Sequence, residues 1–135
     1  MTEERLLQRF KDFENALMRL KEALAIEVTN EIIIDGVIQR FEFTFELAWK
    51  IMKDYLAYEG IEVNSPRSAI KAAYSAGLIQ DGEMWIDMLM DRNRTTHIYN
   101  SKMALEIYEN IKRRYVSCFE ELSEKIRVNI ENIKE

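Results

Sequence analysis

The sequence predicts an all-α fold, an up-and-down bundle of about five helices, two of them short. Turn-forming residues are scarce, since the 135 residues include only 4 Gly and 1 Pro, about 4% against a usual share of roughly 12%. Sandwiches, barrels and Rossmann folds need many tight turns, so this composition argues against them. Apolar residues also recur at steps of three and four over long stretches, which is the spacing of one helix face.

The first long helix is predicted from about Glu3 to Ile26, followed by a second that Asn30 is expected to cap. In the second segment Phe41, Phe43 and Phe45 alternate with polar neighbours, as in a strand. The helical spacing nevertheless continues over more than about 20 residues up to Gly60, so a helix is predicted. Its apolar residues cover more than one face, which places it either at the centre of the bundle or in a subunit interface.

Two short helices and a long one complete the bundle. Ser65 followed by proline starts a short helix that Gly77 ends, and Tyr74 is predicted to face inward with the alanines of this segment. Asp81 is expected to cap a fourth helix, and Ser101 a long last one. The apolar stripe of that last helix comprises Met103, Ile107, Ile111, Tyr115, Phe119, Leu122, Ile126, Ile130 and Ile133.

Composition also excludes several classes of function. One cysteine and one histidine permit no intrachain disulfide and no metal site with two histidines, and neither a metal nor a cofactor is expected. The net charge of −5 argues against a general electrostatic binder of nucleic acids. No signal peptide and no membrane span are visible, so one cytoplasmic domain is expected over residues 1–135.

Residues 91–100 do not follow the packing pattern. Arg92 continues an inward stripe, and a buried guanidinium needs a carboxylate or a bound anion, for which Glu46 or Glu42 is the candidate carboxylate. His97, the only histidine, follows five residues later, about 140° away on a straight helix, so the helix must end before the two converge. Thr95, Thr96 and Asn100 are the residues expected to end it.

An arginine and a histidine in one turn suit RNA cleavage without metal. Arg92 would stabilise the charged phosphorane, and His97 would move protons at the 2′-hydroxyl. Acid and base catalysis need two groups, which a two-fold dimer would supply. Two alternatives remain open: His97 as a helix-end structural residue in a scaffold without a site, and a pocket that only binds an anion.

The spacing Arg92-x4-His97-x-Tyr99 resembles the motif of HEPN domains, small helical proteins that work as dimers and often act as metal-independent RNases. Further blocks are similar to the nucleotidyltransferase substrate-binding-protein subfamily and span nearly the entire chain. They are RFEFTFELAWK at 40–50, DYL at 54–56, SPR at 65–67, GLI at 77–79, DRN at 91–93 and THIY at 96–99.

The resemblance implies a partner and roles for individual residues. It implies a minimal nucleotidyltransferase encoded nearby, a homodimer or higher oligomer, RNA as substrate, and Arg92 and His97 as catalytic residues. In such pairs the HEPN protein is the toxin, and the partner neutralises it, in some systems by transferring AMP to the motif tyrosine, here Tyr99. The same family also supports a non-catalytic subunit that binds a nucleotidyltransferase's substrate. The supporting pocket residues are Arg40, Glu46, Asn93 and Thr96.

Overall fold

A computed structural model describes residues 1–98 and 100–134, and this part of the chain folds into helices without a strand. The helices are α1 (Glu3–Leu24), α2 (Glu31–Tyr58), α3 (Pro66–Ser75), α4 (Gly82–Arg94), α5 (Ser101–Asn110) and α6 (Val116–Lys134). A π-helical segment, Ile111–Tyr115, joins α5 to α6, so the two form one continuous rod. The rod and α1 to α4 are the five predicted helices, with α3 and α4 short. None of the described helices is both long and apolar enough to cross a membrane.

The predicted helix starts are confirmed by their capping hydrogen bonds. The Asn30 side chain accepts from the Ile32 amide at 2.9 Å, and the Asp81 side chain accepts from the Met84 amide at 3.0 Å. At the start of α3, Ser65 forms a reciprocal capping box, with proline as the first helical residue. These side chains satisfy amides that have no partner within the helix.

The predicted stops at Gly60 and Gly77 are also confirmed. Both glycines have positive φ angles, 86° and 78°, which a residue without Cβ adopts at little cost. After Gly60 the Ile61 amide donates to the Leu56 carbonyl at 2.8 Å, and the amide after Gly77 makes the equivalent bond at 2.8 Å. Both helices therefore end in the turn that closes a Schellman motif.

Two local predictions are wrong. The rod is capped by Asn100, whose side chain accepts from the Met103 amide at 2.9 Å. Ser101 is already helical, and its hydroxyl is engaged with the Glu31 carboxylate of α2 at 2.5 Å. Tyr74 does not face inward: it is 56% exposed, because its ring lies over the small residue Gly82 at the start of α4.

The core is organised around α2, which packs along α1 and also contacts α3, α4 and α5. The prediction that this helix lies at the centre of the bundle is thus confirmed for the side that carries Phe41 and Phe45, both of which are fully buried. Phe41 stacks on Tyr115 of the π segment with ring centroids 5.7 Å apart. Trp85 of α4 meets Phe119 of α6 edge-on, also at 5.7 Å. This aromatic cluster fixes α4 against α2 and the rod.

Candidate functional site

The last turn of α4 and the turn after it carry the predicted site. α4 ends at Arg94, and a 3-10 turn, Thr95–His97, follows. The Thr95 hydroxyl donates to the Arg92 carbonyl at 2.6 Å, and the Thr96 hydroxyl donates to the Asn93 carbonyl at 3.0 Å. These bonds satisfy carbonyls at the end of the helix. The prediction that Thr95 and Thr96 end α4 is confirmed, whereas Asn100, the third residue predicted to end it, caps α5 instead.

Glu46 is the carboxylate that faces Arg92. Arg92 Nη2 lies 3.4 Å from Glu46 Oε2, while Lys50 Nζ lies 3.6 Å from Glu46 Oε1. The carboxylate therefore bridges a cation on α4 and a cation one turn further along α2. Charge-assisted hydrogen bonds are usually about 2.7–2.9 Å long, so Glu46 holds Arg92 only loosely.

Arg92 remains partly accessible at this contact. Its side chain is 32% exposed and that of Glu46 37%, whereas its Nε atom is buried without a hydrogen-bond partner in the described part of the chain. An oriented guanidinium with unused N–H donors can donate to two oxygens of one phosphate. The arrangement suits anion binding at the exposed end of the side chain.

His97 ends the 3-10 turn and is exposed. A 3-10 turn winds with about 3.0 residues per turn, so it places His97 about 200° around the axis from Arg92, compared with about 140° on a continuous α-helix. On this ideal geometry the Cα–Cβ directions of Arg92 and His97 differ by about 160°.

A buried hydrogen-bond network centred on Asp91, which was not predicted from the sequence, links the end of α4 to the rod. Asp91 is 6% exposed, and its carboxylate accepts from the Tyr115 hydroxyl at 2.5 Å, from Asn110 Nδ2 at 2.9 Å and from Arg94 Nη1 at 3.0 Å. Burial, followed by the hydrogen bond to Asp91, raises the pKa of the Tyr115 phenol above its ordinary value. Arg94 also reaches Glu106 of α5, at 3.4 Å.

The remaining predicted residues are dispersed. Asn93 and Thr96 are exposed in the turn. Arg40 lies on the side of α2 that faces α1, where its Nη1 donates to the Arg19 carbonyl at 2.6 Å. Tyr99, the expected modification site, lies outside the described residues.

Two large apolar side chains of α2, Ile32 and Phe43, are exposed. Phe43 is 62% exposed and lies one turn before Glu46, about 60° away on the helical wheel, whereas Ile32, 76% exposed, lies about 21 Å from Glu46 towards the start of the helix. Phe43 also borders an open groove of about 420 Å³ between α1 and α2. By contrast, the aromatic side chains of Phe41, Phe45 and Trp49 on the same helix are buried.

Comparison with known proteins places this geometry in a family. A family described as nucleotidyltransferase substrate binding protein like matches residues 8–128. A Haemophilus influenzae (strain Rd) protein described as probable ribonuclease HepT is 32% identical over 89 residues, which cover 62% of this chain. The match spans 61% of that protein, so the chain aligns with about three fifths of its length.

Two solved structures have the same fold. A Thermus thermophilus protein superposes with a TM-score of 0.73 and 34% identity, over 87% of this chain and 98% of that one. The tri-AMPylated HEPN toxin of Shewanella oneidensis, solved in complex with the MNT antitoxin, superposes with a TM-score of 0.76 over 95% and 99% of the two chains. Its identity is 16%, so this likeness concerns the fold. Because the family match covers nearly the whole chain, the protein belongs to the nucleotidyltransferase substrate-binding-protein-like family and has the HEPN fold.

Proposed function

We propose that the chain is the toxin of a pair with a minimal nucleotidyltransferase, and that it cleaves RNA without a metal ion. The observation that carries the proposal is the contact between Arg92 and Glu46 at 3.4 Å, one turn before the exposed His97. Glu46 orients the guanidinium without saturating it, so a phosphate can compete for its donors. The imidazole of His97 can both accept and donate a proton beside that phosphate.

The proposed reaction is an internal displacement at phosphorus. The 2′-hydroxyl oxygen bonds to the adjacent phosphorus as a base takes its proton, and the bond to the 5′-oxygen of the next nucleotide breaks as an acid protonates that oxygen. The products are a 2′,3′-cyclic phosphate and a free 5′-hydroxyl. Arg92 stabilises the additional negative charge on the phosphorane, and His97 carries the protons.

A homodimer completes this site. The chain has one histidine, whereas the reaction needs both a base and an acid. The second group would be His97 of the other copy. The exposed Phe43 supports this assembly, because it lies one helical turn from Glu46, and a two-fold contact through it would bring the Arg92 pockets of two copies near each other.

The proposed regulation acts on Tyr99. The partner nucleotidyltransferase transfers AMP from ATP to the Tyr99 hydroxyl oxygen and releases pyrophosphate. The added phosphate is negative and bulky, and Tyr99 follows His97 by two residues. Charge and volume at this position would exclude an RNA phosphate from Arg92. The AMPylated state of the S. oneidensis toxin that shares the fold supports this proposal.

The test starts from protein that intact mass shows to carry no AMP. Wild type, His97→Ala and Arg92→Lys are incubated with tRNA and total RNA in EDTA, and cleaved ends are tested for the cyclic phosphate. We expect wild type to cleave and His97→Ala to lose about 100-fold or more of the rate. We expect Arg92→Lys to lose activity too, because lysine keeps the charge but lacks the fork. Circular dichroism confirms that each variant is folded.

Absence of cleavage by folded, unmodified wild type would contradict the RNase proposal. The alternative is then a non-catalytic subunit that binds a nucleotidyltransferase's substrate, for which the same Arg92 pocket would hold a nucleotide phosphate. Nucleotide binding by wild type, lost in Arg92→Ala, would support that alternative. If Arg92→Ala changes only thermal stability, Arg92 has a structural role.

A further inference from the structure

The Asp91 carboxylate is the most heavily hydrogen-bonded acidic group described in the structure, and no step of the proposed reaction uses it. It joins three elements: its own helix α4 through Arg94, the end of α5 through Asn110, and the π segment through Tyr115. Both Asp91 and Tyr115 are almost completely buried. Arg92 follows Asp91 directly in the chain, and the 3-10 turn begins four residues after Asp91.

The backbone of the rod is irregular at the residue that reaches Asp91. In the π segment the Val116 amide bonds to the Ile111 carbonyl, five residues back, so one extra residue is accommodated in the turn. The Arg114 carbonyl accepts from the Ser117 hydroxyl at 3.1 Å and from the Cys118 thiol at 3.6 Å. Such a turn is less regular than an α-helix, and here it ends at Tyr115, whose hydroxyl contacts Asp91.

We propose that Asp91 and Tyr115 are positioning residues: their buried hydrogen bond fixes the last turn of α4 to the rod and thereby sets the orientation of Arg92 and His97. This inference rests on the proposed function for its catalytic consequence, but its structural part stands alone. Asn110 holds the same carboxylate oxygen as Tyr115, and Arg94 holds the other. The carboxylate is therefore fixed in rotation as well as in place, and so is the backbone that leads to Arg92.

Tyr115→Phe tests the proposal because it removes one hydroxyl and keeps the ring that stacks on Phe41. Tyr55→Phe is the matched control: Tyr55 is also buried, and its hydroxyl also donates to a carboxylate, that of Glu59, at 3.0 Å. The Tyr55–Glu59 contact lies at the far end of α2, away from the turn. Both variants lose a tyrosine–carboxylate hydrogen bond, so a loss of stability alone affects both.

The first readout does not depend on RNA. Because His97 is the only histidine, its imidazole gives a single set of ring carbon–proton signals in NMR. We expect Tyr115→Phe to shift or broaden those signals and to speed amide exchange of residues 91–98 by about tenfold or more relative to wild type. We expect Tyr55→Phe to leave both unchanged. Unchanged His97 signals and unchanged exchange in folded Tyr115→Phe would overturn the proposal.

The second readout is kinetic. If wild type cleaves RNA, Tyr115→Phe should lower kcat roughly 10- to 100-fold with KM nearly unchanged, as expected when catalytic groups are misplaced. Asp91→Asn should lower kcat in the same way. A kcat equal to that of Tyr55→Phe would overturn the catalytic part. If wild type does not cleave, the proposed function fails, and the NMR and exchange comparison still decides whether Asp91 and Tyr115 orient the turn.

Discussion

Arg92 on α4 and Glu46 on α2 are 46 residues apart in the chain and meet through Nη2 and Oε2 at 3.4 Å. Both side chains are about one third exposed, and ion pairs of this kind contribute about 0–1 kcal/mol to folding. The contact therefore matters little for stability. The contact instead determines the orientation of the Arg92 guanidinium, which matters in a protein whose proposed substrate is a phosphodiester.

Glu46→Gln should separate orientation from stability. The amide keeps the shape but loses the charge that attracts Arg92, so we expect the free energy of unfolding to change by less than about 1 kcal/mol. We expect kcat for RNA cleavage to fall about tenfold, because Arg92 is less well oriented. Lys50→Gln is the control, since it removes the other cation on Glu46 and leaves Arg92 in place. Equal kcat values for the two variants would contradict an orienting role.

Phe43→Glu should break the proposed dimer. Phe43 is 62% exposed in the single chain, and a carboxylate buried at an apolar contact is costly. We expect sedimentation equilibrium to show a monomer for Phe43→Glu and a dimer for wild type. Tyr74→Glu, which places the same charge on an exposed aromatic position of α3, should remain dimeric. A dimeric Phe43→Glu would show that this face of α2 is not the interface.

Cys118 should make the protein less stable at alkaline pH. Burial, and then the Glu121 and Asp81 carboxylates, raise the pKa of its thiol from 9.0 to about 11. The contribution of the protonated thiol to stability is fully present below pH 9. It falls as the pH rises from 9 to about 11, because unfolding then releases a proton from the thiol. Between about pH 8 and about pH 10 we expect wild type to lose about 1 kcal/mol more unfolding free energy than Cys118→Ala does. Denaturant titration at the two pH values measures this difference, and equal losses would contradict it.

Gly60→Ala should destabilise the protein by about 1–2 kcal/mol, since Gly60 has a φ of 86°, where an L side chain is strained. The strain comes from the backbone alone, because a Cβ at this position has open space around it. Gly60→Asn should cost less, because asparagine tolerates the left-handed region better. Thermal unfolding of the three proteins tests the order glycine, asparagine, alanine, and an alanine variant as stable as wild type would contradict the strain argument.

The five helices could be predicted from the sequence, because the apolar spacing and the residues that start or end a helix are both local signals. Asn30, Asp81 and the two glycines each act within five residues of their own position. The Ser101 prediction failed because two capping residues are adjacent, and the contact of Ser101 with Glu31 on another helix decided between them. Tyr74 failed for a related reason: it lies on the inward stripe, but the tight approach of α3 to Gly82 leaves its ring outside.

The π segment is visible in the spacing of the apolar stripe, although the prediction treated that stripe as one regular helix. From Met103 to Phe119 the stripe advances in four successive steps of four, which on an α-helix drifts by about 160°. One extra residue in a π turn corrects about 100° of that drift. The Asp91 network had no such trace, because two of its three partners are 19 and 24 residues away and only the packing of α4 on the rod brings them to Asp91.

The π segment also provides one place where the rod can lose a residue without rotating the side chains that follow. Deleting a residue elsewhere in an α-helix turns every following side chain by about 100°, which would carry Phe119 and Leu122 out of the core. Deleting the exposed Lys112 instead would convert the π turn to an α turn and leave both flanking halves in register. Homologues one residue shorter at this point are therefore compatible with the same fold.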